Sequence, residues 1–152
     1  YNKIRNKVKD VSITTDIIVG FPGETESDFE ETIDIVNTCK FDGAFTFIFS
    51  PRVGTPASKL PDNTTKEEKE SRLHKLNELV NKYSNLSNQA ILNKVVKCLV
   101  TSVSEKDNSK YMGYTENMKL VNIESDTDII GEIVNVKITE AKSFSLNGVH
   151  VK

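Results

Sequence analysis

The chain has 152 residues, of which 37% are hydrophobic and 28% charged, and its formal net charge is −2. This length suits one ordinary domain or two small ones with a buried core. No stretch of 18 apolar residues occurs, so no membrane-spanning helix is predicted. The near-neutral charge gives no overall sign of nucleic-acid binding, although a local basic patch is compatible with it.

The cysteines are Cys39 and Cys98, and the histidines are His74 and His150. They are too far apart to show the spacing of a metal-ligand pair or a disulfide framework. We therefore predict two free thiols, a reducing cytoplasmic location and no metal held by this chain. The chain begins at Tyr1, without Met or an apolar signal segment, and we expect it to be part of a longer protein.

The first predicted elements surround a glycine-rich turn. Residues 1–9 are basic and polar, and indicate the end of a helix or a linker. Residues 12–19 predict a strand buried on both faces, as in parallel sheets. The Gly20–Glu24 turn follows, and Thr25 with Asp28 fits a capping box that opens the next helix.

A helix and a second strand come next. Apolar residues at i, i+4 and i+7 predict a helix from Ser27 to about Cys39, and residues 44–50 predict an apolar strand. A strand, a helix and a strand joined by short loops form a βαβ unit, so the two strands should be parallel. Because one such unit cannot complete a covered parallel sheet, we expect further elements outside this chain.

A polar loop then leads into a long helix. Thr65 and Glu68 form a second predicted capping box, and the helix extends to about Gln89. One stripe of this helix is apolar and is expected to pack on a core: Leu73, Leu76, Val80 and Tyr83.

From residue 93 onward, short apolar runs alternate with turn-rich segments. The predicted strands are 95–101, 111–115, 119–123, 133–139 and 143–146. Five short strands in this space indicate a small closed barrel, which leaves few open edges. The boundary to this domain is expected near residues 88–93.

Two turns in the first part are candidate ligand contacts. The Gly20–Glu24 turn follows the first strand, and the loop with Arg52 follows the second. The carboxyl ends of parallel strands are where α/β folds bind ligands, and Arg52 suits a carboxylate or phosphate. The alternatives remain open, namely an ordinary strand-to-helix turn and a proline-bracketed loop with a solvated arginine.

One predicted hairpin of the barrel combines basic and aromatic residues, which can hold phosphates and stack bases. The residues are Lys110, Tyr111, Tyr114, Asn117 and Lys119. The segment 93–152 has eight Lys and Arg against eight Asp and Glu. Because that balance is neutral, an ordinary barrel surface remains the alternative.

Three motifs together resemble the radical-SAM methylthiotransferases, and most closely their tRNA-modifying branch. They are residues 15–25 (TDIIVGFPGET), residues 45–57 (FTFIFSPRVGTPA) and a barrel set made of residues 112–117, 121–123, 130–131 and 136–141. The resemblance covers nearly the whole chain in the family's order. One departure is Tyr114, where the family usually has arginine.

The resemblance implies a fold in three parts. Residues 1–62 resemble the C-terminal part of the radical-SAM domain, an α/β fragment that is the last βαβ of a partial (β/α) barrel. Residues 63–90 form a connecting helix, and residues 91–152 a TRAM domain, a small all-β, OB-like barrel. The longer parent would carry S-adenosylmethionine and two 4Fe-4S clusters. The cluster that cleaves S-adenosylmethionine is held by a C-x-x-x-C-x-x-C motif, which this chain lacks. We expect the fragment itself to be inactive and to bind none of these groups.

The resemblance also implies site residues and a substrate. The family's cofactor-side positions correspond to Gly20, Phe21, Pro22, Gly23, Glu24, Phe47, Phe49, Ser50 and Arg52, and no residue is assigned a catalytic role. The hairpin at residues 110–119 matches the part of the TRAM domain expected to touch tRNA.

The implied reaction is methylthiolation at C2 of N6-isopentenyladenosine beside the anticodon, with the tRNA anticodon loop as partner. Alternatives are a relative acting on threonylcarbamoyl-adenosine tRNA or a ribosomal protein, and an RNA-binding module without catalysis. We also expect self-association through the incomplete barrel and no membrane partner.

Overall fold

The computed structural model describes residues 1–105 and 107–151. The chain divides into two compact units, Tyr1–Tyr83 and Ser84–Lys152, and the division falls inside a long helix. Our three-part division, with boundaries after residues 62 and 90, stays a prediction.

The first unit contains the predicted βαβ arrangement. Its elements are α1 (Asn2–Lys7), β1 (Thr14–Val19), α2 (Glu26–Cys39), β2 (Gly43–Ile48), a 3₁₀ turn (Pro56–Lys59) and the start of α3 (Lys66–Gln89). The strands pair in parallel, with Thr14 opposite Gly43 and Val19 opposite Ile48. The parallel pairing and the end of α3 at Gln89 are thereby confirmed.

Both predicted capping boxes are present. Thr25 Oγ1 accepts from the Asp28 N–H at 3.2 Å, and Asp28 Oδ2 accepts from the Thr25 N–H at 2.8 Å. The Thr25 hydroxyl, which donates to Asp28 Oδ2 at 2.7 Å, and the Thr25 N–H together hold the pKa of Asp28 below its usual value. At α3 the Thr65 N–H donates to Glu68 Oε2 at 2.8 Å, and the Glu68 N–H donates to Thr65 Oγ1 at 3.2 Å. Each pair satisfies backbone donors that a helix start otherwise leaves unpaired.

The core of the first unit lies on one side of its sheet. Helices α2 and α3 both pack there, and the buried side chains are Val19, Phe29, Ile33, Val36, Leu76 and Val80. On the other face Ile18, Phe45 and Phe47 are 56%, 69% and 52% exposed. The expectation of a first strand buried on both faces is therefore wrong for this chain, because both helices cover the same face.

The second unit is a closed five-stranded barrel, as predicted. Its strands are β3 (Val95–Val103), β4 (Tyr111–Thr115), β5 (Leu120–Glu124), β6 (Ile133–Ala141) and β7 (Leu146–Val151). They follow the order β3-β4-β5-β7-β6, and β5 pairs with β7 in parallel. The barrel is filled by Cys98, Val100, Val121, Ile123, Ile129, Val134, Val136, Ile138 and Leu146.

The fifth strand lies later in the chain than predicted. The sequence predicts it at 143–146, but residues 143–145 lie in a turn in which the Lys142 N–H donates to the Ser145 carbonyl at 2.9 Å. The strand starts at Leu146 and includes Gly148, which weakens a sequence-based strand prediction. A Cβ on Gly148 would lie 2.5 Å from a methyl of Val136 and 2.7 Å from the Lys137 carbonyl oxygen, so the barrel wall requires glycine there.

Candidate functional site

The Gly20–Glu24 turn follows directly from β1 and has two residues in the left-handed region. Gly20 has φ +71° and Gly23 has φ +87°, conformations that glycine adopts without a Cβ penalty. The Glu24 N–H donates to the Phe21 carbonyl at 2.9 Å, which closes the turn. Pro22 is buried, while Phe21 is 44% exposed.

A buried ion pair holds Glu24. Its Oε2 accepts from the Gly20 N–H at 2.7 Å and from Arg72 Nη1 at 2.7 Å. Both side chains of the pair are 10% exposed, and Arg72 Nη2 lies 3.3 Å from Oε2 of Glu26. The Glu24 carboxylate thus ties the start of the turn to α3, and one of its oxygens is already engaged within the protein.

Arg72 is not among the site residues predicted from the sequence. A usable signal exists, since Arg72 lies four residues before Leu76 on the side of α3 that carries the apolar stripe. A charged residue in that position is buried with a partner or lies at the edge of the stripe. Its partner, Glu24, is 48 residues away in the chain, so no local pattern identifies it.

A second cation of α3 covers Gly20. The Lys69 side chain passes so close that a Cβ on Gly20 would lie 2.6 Å from Lys69 Cγ. Its ammonium group is paired with Asp62, and this hydrogen bond holds the pKa of Asp62 below its usual value. Helix α3 therefore contacts the turn through two side chains, Lys69 and Arg72, and is part of this site.

The ends of the two strands lie side by side, as expected. Val19 is opposite Ile48, and the Phe49 N–H donates to the Val19 carbonyl at 2.8 Å. The rings of Phe21 and Phe49 meet edge to face, with centroids 5.0 Å apart. The glycine turn and the Phe21–Phe49 pair therefore lie at the same edge of the sheet, next to the exposed face that carries Phe47. Such an arrangement could form part of a site for a planar group with apolar faces, such as adenosine.

The loop after β2 is more open. Ser50 and Arg52 are exposed, and the Arg52 carbonyl accepts from the Thr55 N–H at 3.2 Å and from its hydroxyl at 2.8 Å. The cofactor roles of the nine residues named above stay predictions.

The five residues of the barrel hairpin do not share one surface. Lys110 Nζ donates to Glu124 Oε1 at 2.8 Å, a contact that raises the pKa of Lys110. Tyr111 packs against the barrel core. Tyr114, three positions further along β4, lines a groove on the outside.

The remaining two residues lie after β4. Asn117 is exposed. Lys119 Nζ donates to Ser87 Oγ at 2.9 Å and to Asn88 Oδ1 at 2.7 Å, so its ammonium group is bound to the last turns of α3. The proposed RNA contacts of these five residues stay predictions, but their polar groups face different parts of the barrel.

Among residues 1–105 and 107–151, no group of three or more His, Cys, Asp or Glu side chains is arranged to hold a metal ion. Cys98 is buried in the barrel core, and burial raises the pKa of its thiol to about 11. A buried, protonated thiol is a poor metal ligand. The described part of the chain, with Cys98 buried in the barrel core, therefore does not fit an iron–sulfur cluster.

Among the helices of residues 1–105 and 107–151, none has the length and apolar character that a membrane span requires.

The closed barrel and the end of α3 together form the part of the chain that matches a known domain family. Residues 81–151 match the model of the TRAM domain, so the second unit is a TRAM domain.

Curated relatives extend the similarity to nearly the whole chain. The chain is 51% identical over 150 residues to a tRNA-2-methylthio-N(6)-dimethylallyladenosine synthase of Oceanobacillus iheyensis, covering 99% of this chain and 29% of that protein. It is 47% identical over 146 residues to the tRNA-2-methylthio-N(6)-dimethylallyladenosine synthase of Alkaliphilus oremlandii, covering 96% of this chain and 31% of that protein. The chain is thus similar to these methylthiotransferases over nearly its whole length and spans about 30% of theirs.

Proposed function

We propose that this chain is the C-terminal part of a radical-SAM enzyme that methylthiolates C2 of N6-isopentenyladenosine next to the tRNA anticodon. The observation that carries this proposal is the identity of 47–51% across both units to synthases named for that product. Both the Gly20–Glu24 turn and the TRAM domain lie inside the matched region. A tRNA-modifying role implies a cytoplasmic location.

The two units have separate roles in this proposal. The first contributes one edge of the S-adenosylmethionine site, where Gly20–Glu24, Phe47, Phe49, Ser50 and Arg52 bind and orient the cofactor. The cofactor, bound with two 4Fe-4S clusters in the full-length protein, supplies the radical chemistry that activates an unreactive C–H bond. The barrel binds the anticodon loop and brings the target adenosine to the cofactor.

Analysis of cellular tRNA tests the reaction. Deletion of the full gene should remove 2-methylthio-N6-isopentenyladenosine from tRNA and leave N6-isopentenyladenosine in its place, measured by mass spectrometry. Loss of the methylthio group from threonylcarbamoyl-adenosine, or from a ribosomal protein, would instead support a relative with a different substrate.

The isolated chain provides a second test. Because its cysteines are Cys39 and Cys98, it should bind no stoichiometric iron and sulfide after anaerobic reconstitution and should not cleave S-adenosylmethionine. Stoichiometric iron together with cleavage of S-adenosylmethionine would contradict the proposal that the cluster ligands lie outside this chain.

One observation favours a second candidate, an RNA-binding module without catalysis. The barrel is closed and has its own core, whereas the sheet of the first unit has a bare apolar face. A titration of tRNA against salt tests whether the chain binds RNA through phosphates, because each phosphate contact steepens the loss of affinity with salt. Normal methylthiolation in the deletion strain, together with tRNA binding by the chain, would favour this candidate.

A further inference from the structure

A row of apolar side chains crosses the outside of three neighbouring strands, β4, β3 and β6. In the barrel register Leu99 lies opposite Tyr114 of β4 on one side and Ile133 of β6 on the other. The neighbours of Leu99 along β3, Cys98 and Val100, are fully buried. Because side chains alternate along a strand, Leu99 and its two opposite residues point outward.

This row forms one wall of an open groove of about 370 Å³. The groove is lined by Lys97, Leu99, Tyr114, Thr115, Glu116, Met118 and Ile133. Met118 is 75% exposed, Ile133 70% and Leu99 48%. Three exposed apolar side chains along one groove make this face a candidate interaction surface.

Two lysines give the face its charge. The outward positions of the β3–β6 pair are Val95, Lys97, Leu99, Ile133, Asn135 and Lys137, which include two lysines and no acidic residue. Lys97 and Lys137 are both exposed. A positive, partly aromatic strand face fits a ligand with anionic and planar apolar parts, which is the chemistry of unpaired nucleotides.

The hairpin basic residues are less suited to that role. Lys110 is paired with Glu124 at 2.8 Å, and Lys119 is bound to Ser87 and Asn88. Phosphate would have to compete with these internal partners, whereas Lys97 stands on the open face between two neighbouring grooves.

We propose that the outer β3–β6 face is the RNA-binding surface of this chain and holds an unpaired nucleotide segment. A base lies in the groove against Tyr114, Leu99 and Ile133, and phosphates lie along Lys97 and Lys137. Glu116, on the groove rim, repels phosphate but accepts a hydrogen bond from a base amine, which orients the strand. The inference rests on the proposed role in tRNA modification and names the surface that this role uses.

The test measures binding of the 152-residue chain to an unmodified anticodon stem-loop RNA. Lys97→Glu and Lys137→Glu should each weaken binding and lower the salt slope by about one unit, the change expected for one lost phosphate contact. Tyr114→Ala should weaken binding roughly tenfold through lost stacking, and Tyr114→Phe should retain it. The matched control is Lys142→Glu, an equal charge change on the same barrel at a side chain that is 58% exposed, which should change affinity less than twofold. Lys110→Glu compares the hairpin with this face and should weaken binding less than Lys97→Glu.

Each alternative outcome has a distinct meaning. A larger effect of Lys110→Glu than of Lys97→Glu would overturn the proposal in favour of the hairpin. Unchanged RNA affinity in Lys97→Glu and Tyr114→Ala, with altered light scattering, would make the face a protein-docking surface. If the unaltered chain binds no RNA, the proposed tRNA role of the barrel fails together with the surface. If it binds RNA and the β3–β6 variants bind equally well, the surface alone fails.

Discussion

Arg72 of α3 and Glu24 of the Gly20–Glu24 turn form a buried ion pair, with Nη1 and Oε2 2.7 Å apart. The same carboxylate oxygen accepts the Gly20 N–H at 2.7 Å. A single carboxylate thus connects the first residue of the turn to a helix 48 residues further along the chain. The shape of the candidate cofactor edge therefore depends on α3 as well as on its own glycines.

Arg72→Met should destabilise the first unit strongly, because it leaves the Glu24 carboxylate buried without its cation. The expected loss is on the order of 3 kcal/mol in the free energy of unfolding, measured by urea denaturation. The double variant Arg72→Met/Glu24→Gln should recover part of that loss, because no charge remains unpaired. The control is Lys75→Met, which breaks a half-exposed pair with Glu30 and should have a clearly smaller effect. Equal effects of Arg72→Met and Lys75→Met would contradict the structural role of the buried pair.

Gly20→Ala and Gly23→Ala separate backbone strain from a side-chain clash. Both glycines have positive φ, so each substitution carries a backbone cost of about 1 kcal/mol. At Gly23 a Cβ meets no atom of the described residues within 4 Å, whereas at Gly20 it meets Lys69 at 2.6 Å. Gly20→Ala should therefore lower the urea midpoint more than Gly23→Ala. A Gly20→Ala/Lys69→Ala double variant should remove the excess, and its persistence would show that Lys69 is not the obstacle.

Gly113→Ala should disrupt the pairing of β3 with β4. A Cβ at this position would lie 2.5 Å from the Leu99 carbonyl oxygen, which is backbone and has little room to move. We expect a loss of roughly 2 kcal/mol or more in barrel stability, together with faster amide hydrogen exchange in β3 and β4. Gly131→Ala is the control, because Gly131 has φ +82° but residues 1–105 and 107–151 place no atom within 4 Å of the added Cβ. A Gly113→Ala barrel as stable as the Gly131→Ala barrel would be inconsistent with this close approach.

Cys98 predicts how barrel stability depends on alkaline pH. Burial raises the pKa of its thiol from 9.0 to about 11. Between these values the unfolded chain loses the proton while the folded barrel keeps it, so the unfolded state is favoured as pH rises. Stability should therefore fall between about pH 9 and 11 more steeply in the unaltered chain than in Cys98→Val. Identical pH slopes would argue against a buried neutral thiol. At pH 8 a thiol reagent should modify the partly exposed Cys39 before Cys98.

The bare sheet face of the first unit predicts self-association. Ile18, Phe45 and Phe47 are all more than half exposed on one face of a two-stranded sheet, which is unfavourable in water. Phe47→Glu should therefore reduce the apparent mass of the chain in concentration-dependent light scattering. Ile35→Glu, on the outer side of α2 and 58% exposed, is the control and should leave association unchanged. A monomer at high concentration in the unaltered chain would contradict the prediction.

Much of the fold was predictable because it depends on short spacings. The capping boxes Thr25–Asp28 and Thr65–Glu68 involve residues three apart, and the βαβ unit follows from one apolar strand, one amphipathic helix and another strand. Four of the five barrel strands follow from short apolar runs bounded by turn-rich segments. The fifth was misplaced because Gly148 is required by a close approach to Val136 and Lys137 in β6, which no local pattern contains.

The candidate sites depended more on long-range contacts. Local chemistry made Tyr111 and Tyr114 look equivalent, but the pleat of β4 turns Tyr111 to the core and Tyr114 to the outside. Lys97 and Lys137 are 40 residues apart in the chain, and only the pairing of β3 with β6 places them on the same outer face.

The sequence by itself determined the elements, the two kinds of domain and the family resemblance, because these follow from periodicity, turn residues and motif order along the chain. Only the tertiary structure decided that Arg72 holds Glu24, that Lys69 covers Gly20, and which face of the barrel is both apolar and basic. Those relationships join residues tens of positions apart through packing and strand register, and their physical cause is long-range contact rather than local spacing.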